Sequence, residues 1–144
     1  MELSLGRRAD YMVRAVLDLA VHAGEGRRKS GEIAADMQIP ATYLPQLLAE
    51  LVRAGVVTST AGRRGGYELA REPEGLSLLE VIELADGELI TTVCVLRGGP
   101  CRWDDACAVH PPLARAQERL RSSLAETTFA EVADIDRGLR SQTV

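Results

Sequence analysis

The feature that most constrains the fold is a change of hydrophobic spacing near the middle of the chain. Apolar side chains first recur at helical spacing, and residues 56–60 and 67–70 then have the pattern of two short strands. The glycine-rich segment between these strands carries Arg63 and Arg64. The pattern predicts helices followed by a β-hairpin whose tip presents two arginines.

Three helices are predicted ahead of the hairpin, at residues 11–23, 31–37 and about 41–54. Ser30 is a suitable N-cap for the second of them. Pro45 is compatible with the third only within its first turn, so that helix should begin near residues 41–42. The order of helix, short helix, turn, helix and hairpin predicts a winged helix-turn-helix, in which the second helix of the pair enters the major groove of DNA.

The C-terminal half is predicted to hold further helices around an irregular segment. A capping box at Ser77 and Glu80 opens the first of them, and residues 86–110 are irregular. A strongly periodic helix follows at residues 111–125, and a last short helix begins at Thr128. The predicted organisation is a DNA-binding domain at 1–75, a helix and cysteine-rich loop at 76–110, a long and a short helix at 111–137, and a flexible tail at 138–144.

All three cysteines and one of the two histidines lie within seventeen residues, as Cys94, Cys101, Cys107 and His110. Thiolate and imidazole groups bind zinc, iron and other soft or borderline metals. An odd number of cysteines also fits metal ligation better than a disulfide framework. The pattern is therefore compatible with a metal centre, of which a structural zinc is one form. It is also compatible with a metal-free redox switch in which Cys94 pairs with Cys101 or Cys107.

Charge and hydropathy narrow the class of protein. The net charge of −4 argues against indiscriminate nucleic-acid binding, although basic residues cluster at 7–8, 27–29 and 63–64. No apolar run approaches the roughly 20 residues of a membrane helix, and the N-terminus lacks a signal-peptide pattern. We therefore expect a cytoplasmic protein without a membrane partner. Since no set of nucleophile, base and orienting residue is visible, we expect no enzymatic activity.

Five sequence segments together resemble one protein family. They are residues 8–20, 39–48, 62–67, 78–82 and the cysteine cluster. In this order and at these separations they resemble the IscR/NsrR-type, or Rrf, family of bacterial winged-helix iron–sulfur regulators over nearly the whole chain. The chain departs from the family pattern at the first cysteine gap, which has six residues where five are commoner. It also has Ala61 where relatives often have arginine, and Pro45 where some relatives have a base-contacting polar residue.

The resemblance implies a mainly α protein with a small β-hairpin wing. Its fold would be a winged helix-turn-helix followed by a long dimerisation helix. It implies a homodimer that binds a pseudo-palindromic operator in double-stranded DNA, with one iron–sulfur cluster of two or four irons in each subunit. The expected function is that of a repressor whose DNA affinity follows nitric oxide, redox state or iron supply through the cluster. A structural zinc or a metal-free thiol redox switch is the alternative.

The resemblance also marks candidate site residues. For the metal it marks Cys94, Cys101 and Cys107, with the fourth ligand open between His110 and an Asp10 that the other subunit would supply. Contact with DNA is expected from the starts of the two helices of the motif and from the hairpin tip. The residues are Ser30, Thr42, Tyr43, Gln46, Arg63 and Arg64.

Overall fold

Helices form most of the part of the chain that this computed structural model describes, residues 3–89 and 107–143. Their bounds are α1 Arg7–Val21, α2 Ser30–Met37, α3 Leu44–Arg53, α4 Leu78–Asp86, α5 His110–Glu126 and α6 Phe129–Gln142. An antiparallel hairpin, β1 Val57–Thr60 and β2 Gly66–Leu69, lies between α3 and α4, and a 3-10 turn, Pro73–Gly75, follows it. The mainly α fold with a small β wing is thereby confirmed. Within the described ranges no helix is both long and apolar enough to cross a membrane.

Helix α1 lies at the centre of the fold, against α2, α3, α4 and α6. It begins four residues before the predicted start, because its first turn is polar and hydrophobic spacing does not reveal it. Its inward face is lined by the buried residues Ala9, Met12, Ala15, Val16, Leu19 and Ala20. Each large aliphatic side chain buried in this way contributes about 1.5–3 kcal/mol. Helix α1 is therefore the common support of the DNA-binding elements and the C-terminal helix.

The turn between α2 and α3 corrects two predicted boundaries. The N-cap of α2 is Lys29 rather than Ser30, since the Glu32 carboxylate accepts the Lys29 backbone N–H (2.9 Å) and Ser30 is already helical. Helix α3 begins at Leu44 rather than near residues 41–42, because the Tyr43 and Leu44 N–H groups bond back to the Pro40 carbonyl (3.0 and 3.2 Å) as a turn. The prediction that proline 45 falls in the first turn of the helix is confirmed.

The hairpin follows the predicted pattern, except that β1 begins one residue later than predicted and β2 is displaced by one residue toward the tip. Val57 pairs with Leu69 and Thr60 with Gly66. A side chain at Gly65 would place its Cβ 2.0 Å from the Thr60 carbonyl oxygen, so the tight tip requires glycine there. The hairpin is also attached to the helices, because Arg28 forms a single β-bridge with Tyr67 of β2 through two backbone hydrogen bonds (2.8 Å each).

The starts of α4 and α6 lie side by side. The Ser77 hydroxyl accepts the Glu80 N–H (3.1 Å), and the Thr128 hydroxyl accepts the Glu131 N–H (3.2 Å). Phe129 is fully buried where the two helix starts meet. The C-terminal prediction was wrong in its extent: α6 continues to Gln142, where a short helix and a flexible tail at 138–144 were expected.

Helix α5 differs from the other long helices in its burial. It packs against α4, and Arg121 lies 3.4 Å from the Glu83 carboxylate. None of the residues of α5 is buried by the part of the chain that the structure describes, and Leu120 is 40% exposed. The residues that the structure describes thus cover only part of the predicted apolar stripe of this helix.

Candidate nucleic-acid interface and metal centre

The outward face of α3 is the first candidate surface for DNA. Four leucines, at positions 44, 47, 48 and 51, are fully buried on its inner face. This arrangement leaves Thr42 just before the helix and Gln46 in its first turn exposed to solvent. Ser30 is half-buried at the start of α2. Thr42 and Gln46 are therefore accessible to base edges or phosphates, as a recognition helix requires.

Tyr43 has a more internal position than Thr42 and Gln46. Its half-buried ring meets the Tyr11 ring edge-on, with the ring centroids 5.7 Å apart and the planes at 69°. The Arg14 guanidinium lies 5.7 Å from the centroid of the Tyr11 ring on the same side of α1. Tyr43 thus braces the start of α3 against α1.

The hairpin tip is the second candidate surface. Arg63 and Arg64 are both exposed, and within residues 3–89 and 107–143 neither side chain forms a hydrogen bond or an ion pair. The tip is closed by the Gly65 N–H, which donates to the Gly62 carbonyl (3.0 Å). Two guanidinium groups that make no internal pair are available for phosphate contact.

In each of the other two basic clusters, one arginine forms hydrogen bonds and an ion pair within the protein. Arg8 donates through Nε to the Ala85 carbonyl (3.0 Å) and pairs with Glu50 through both terminal nitrogens, which ties α1 to α3 and α4. Arg28 donates to both carboxylate oxygens of Asp18 (3.0 Å each). These two segments therefore contribute less to a basic surface than the sequence suggests.

Asp18 is the buried charged residue that the sequence analysis missed. Its side chain is fully buried on α1. The hydrogen bonds that Arg28 donates to Asp18, followed by the one it donates to Asp36, raise the pKa of the Arg28 guanidinium. The available signal was that Asp18 falls on the core-facing side of α1, three residues after Ala15. A carboxylate at such a position needs a buried cation as partner.

The described part of the predicted metal-binding segment is one turn of chain at the start of α5. Cys107 is half-buried with a free thiol, and the His110 N–H donates to the Cys107 carbonyl (3.2 Å). The predicted ligands Cys94 and Cys101 lie outside the described residues. Among residues 3–89 and 107–143, no group of three or more His, Cys, Asp or Glu side chains is placed to hold a metal. The structure thus brings two of the predicted ligands to one turn.

Asp10, the other candidate for the fourth ligand, is paired within its own chain. Its two carboxylate oxygens accept from Arg14 Nε (2.9 Å) and Nη2 (2.6 Å). Arg14 Nη1 also donates to the Met37 carbonyl (3.1 Å) at the end of α2. Asp10 is therefore connected through one side chain to the turn that precedes the recognition helix α3.

Residues 5–135 match the model of one protein family, Rrf2, described as iron-dependent transcriptional regulators. The chain belongs to the Rrf2 family. It is 32% identical over 130 residues to the HTH-type transcriptional regulator IscR of Xenorhabdus nematophila, which covers 90% of this chain and 79% of that protein. The family suggested by the sequence motifs is thereby confirmed.

Solved Rrf2-type structures have the same fold. CymR, the global cysteine regulator of B. subtilis, superposes with a TM-score of 0.82 at 28% identity, over 93% of this chain and 98% of that one. IscR of T. potens superposes with a TM-score of 0.75 at 29% identity, over 94% of this chain and 90% of that one. The chain is thus a transcriptional regulator of the Rrf2 type with a DNA-binding winged helix, which is a non-enzymatic function.

Proposed function

We propose that this Rrf2 protein is a homodimeric repressor whose affinity for DNA is set by an iron–sulfur cluster that responds to nitric oxide, redox state or iron supply. The observation that carries the proposal is the turn formed by Cys107 and His110 at the start of α5. This turn follows directly on the segment that holds Cys94 and Cys101. The similarity to IscR proteins supports the same cofactor.

The donor set fits such a cluster in chemistry and number. Three thiolates with one imidazole or carboxylate supply the four protein ligands of a two-iron or four-iron cluster. Cys94, Cys101 and Cys107 would hold it, with His110 or the carboxylate of Asp10 in the fourth position. When bound, the cluster would supply iron that nitric oxide, oxygen or a change of redox state can attack. The same donors also satisfy zinc, which is the alternative cofactor.

Asp10 and Arg14 would connect this centre to DNA binding. If Asp10 bound a different partner, its two hydrogen bonds from Arg14 would change. Arg14 also donates to the Met37 carbonyl at the end of α2, ahead of the recognition helix. The Asp10 and Arg14 side chains are 39% and 37% exposed, so their pair contributes less than about 1 kcal/mol. A tenfold change in affinity needs about 1.4 kcal/mol, so further contacts must change with this one.

The DNA-binding role rests on two surfaces that the fold holds at fixed places. Thr42 and Gln46 would face the major groove, with Tyr43 bracing the start of α3 and Ser30 nearby at the start of α2. Arg63 and Arg64 would contact the backbone or minor groove. In a homodimer two such units would bind half-sites of a pseudo-palindrome about 34–36 Å apart, one helical turn of DNA. The exposure of α5 within one chain supports pairing through that helix.

The test is an anaerobic visible absorption spectrum of freshly purified protein, with iron, sulfide and zinc measured on the same sample. Broad visible absorption with iron and sulfide supports the cluster, and the iron count per chain separates two-iron from four-iron forms. A colourless protein with one zinc per chain overturns the sensor and leaves a winged-helix regulator with a structural zinc. A colourless protein without metal, and with a disulfide within the cysteine cluster, favours the thiol switch.

A further inference from the structure

Two adjacent residues between α1 and α2 hold the wing at two different levels. In the first half of β2, the Arg28 backbone pairs with the Tyr67 backbone (2.8 Å for both hydrogen bonds). At the tip, Lys29 Nζ donates to the carbonyl oxygens of Gly62 (3.2 Å) and Arg63 (2.9 Å). The segment before α2 thus contacts the hairpin from its second strand to its turn.

The contact between Arg28 and Tyr67 is fixed by a buried ion pair of the Arg28 side chain. The Arg28 side chain is 16% exposed and bonds the fully buried carboxylate of Asp18 on α1 and the carboxylate of Asp36 on α2. Gly66 lies directly against Arg28, because a Cβ at residue 66 would be 2.6 Å from the Arg28 carbonyl oxygen. These contacts therefore fix β2 relative to the helix-turn-helix.

The tip also depends on Lys29, because a glycine-rich turn loses more conformational entropy on ordering than other turns. A Cβ at Gly62 would meet no atom within 4 Å, so packing alone does not fix the first part of the tip. Two hydrogen bonds from one ammonium group tie the carbonyls of Gly62 and Arg63 to the start of α2. An ammonium donor makes stronger hydrogen bonds than a neutral one.

We propose that Lys29 is a positioning residue for DNA binding, which orders the wing tip so that Arg63 and Arg64 meet DNA from a fixed place. The proposal rests on the contact of the wing with DNA proposed above. A tip that is ordered before binding loses less entropy when it meets DNA, so the same two guanidinium contacts give higher affinity. Lys29 acts through the backbone of the tip and needs no contact with DNA of its own.

The experiment is a double-mutant cycle on the full-length protein as purified. The probe is a fluorescent duplex carrying the site that the wild-type protein selects from a random-sequence pool. Lys29→Met keeps the aliphatic stem and removes the hydrogen bonds and the charge, and Arg27→Met is the control for loss of one exposed charge nearby. We expect K29M to lower the affinity by about threefold to tenfold, and R27M by less than about twofold.

The cycle is completed in a variant that lacks both tip arginines, R63A/R64A. Since Lys29 acts through those arginines, adding K29M to R63A/R64A should change the affinity by less than about twofold. A full effect of K29M in that background means that Lys29 contacts phosphate directly, and it overturns the positioning role. Lys29→Arg, which keeps a cationic donor, should recover part of the affinity.

A measurement without DNA separates the anchor from general folding. Amide hydrogen exchange of residues 61–66 should be faster in K29M than in wild type, while the melting temperature stays unchanged. Unchanged exchange at the tip overturns the anchor. If R63A/R64A leaves the affinity unchanged, the proposed wing contact fails and the role of Lys29 in DNA binding falls with it. A weakened R63A/R64A beside an unaffected K29M overturns the role of Lys29 alone.

Discussion

The helix-turn-helix and helix α5 differ in how much of their apolar surface is buried within one chain. Helix α3 has four fully buried leucines, whereas α5 has no buried residue among the described part of the chain. The first region also has internal ion pairs, such as that of Arg28 with Asp18, that set its shape. Among the described residues, the apolar face of α3 is therefore covered by its own chain, while the apolar stripe of α5 is not.

The largest loss of stability is expected when the buried ion pair between Arg28 and Asp18 is broken. Arg28→Met leaves the Asp18 carboxylate buried without its cation, and breaking such a pair costs about 3–5 kcal/mol. The control is Arg27→Met, which removes an exposed arginine 3.6 Å from Glu68 and should cost less than about 1 kcal/mol. Urea unfolding measures both variants. Equal losses in the two would mean that the buried pair does not stabilise this region.

A pair of leucine substitutions compares the two regions directly. Leu47→Ala empties a fully buried site in α3 and should cost about 2–5 kcal/mol at any protein concentration. Leu120→Ala alters a residue of α5 that is 40% exposed, and its effect should grow as the protein is diluted, because pairing depends on concentration. Melting curves over a range of concentrations measure this. A loss in Leu120→Ala that is independent of concentration contradicts the pairing of α5.

The wing should affect DNA binding without a large effect on stability. If Arg63 and Arg64 each contact a phosphate, R63A/R64A lowers the slope of log affinity against log salt by about 0.9 for each lost contact. The charge-matched control is R137A/R140A on α6, where both side chains form exposed ion pairs. Titrations of duplex DNA at several salt concentrations give the slopes. Equal changes in the two variants would remove the wing from the proposed interface.

The order of helices and the hairpin could be predicted because local rules determine them. Apolar spacing located the helices, and Gly65 and Gly66 at the hairpin tip stand where the backbone leaves no room for a side chain. The extent of α6 was missed, because its last turns are polar. The Asp136–Arg140 pair, four residues apart and 2.7 Å between charged atoms, was the local signal for its continuation.

The contacts between distant segments could not be predicted from local rules. Arg8 and Glu50 lie on different helices, and only the folded chain shows that Arg8 is used inside the protein. The same holds for Lys29, which appeared as one member of a basic cluster and in fact binds the carbonyls of the wing tip. Sequence reasoning proposed residues for DNA contact, and the described part of the structure shows which of the basic side chains among them make no internal ion pair.

The smallest effect on stability is expected at Asp10, and the substitution separates the two candidates for the fourth ligand. Asp10→Ala should cost less than about 1 kcal/mol, since the Asp10–Arg14 pair is more than one third exposed. We expect His110→Ala to lower the iron and sulfide content more than Asp10→Ala, because His110 lies one turn from Cys107 while Asp10 is paired with Arg14. The reverse order of metal content would assign the fourth position to Asp10. In that case the Asp10–Arg14 pair must open when the cluster binds, and Arg14 would be the residue that transmits its presence to the turn before α3.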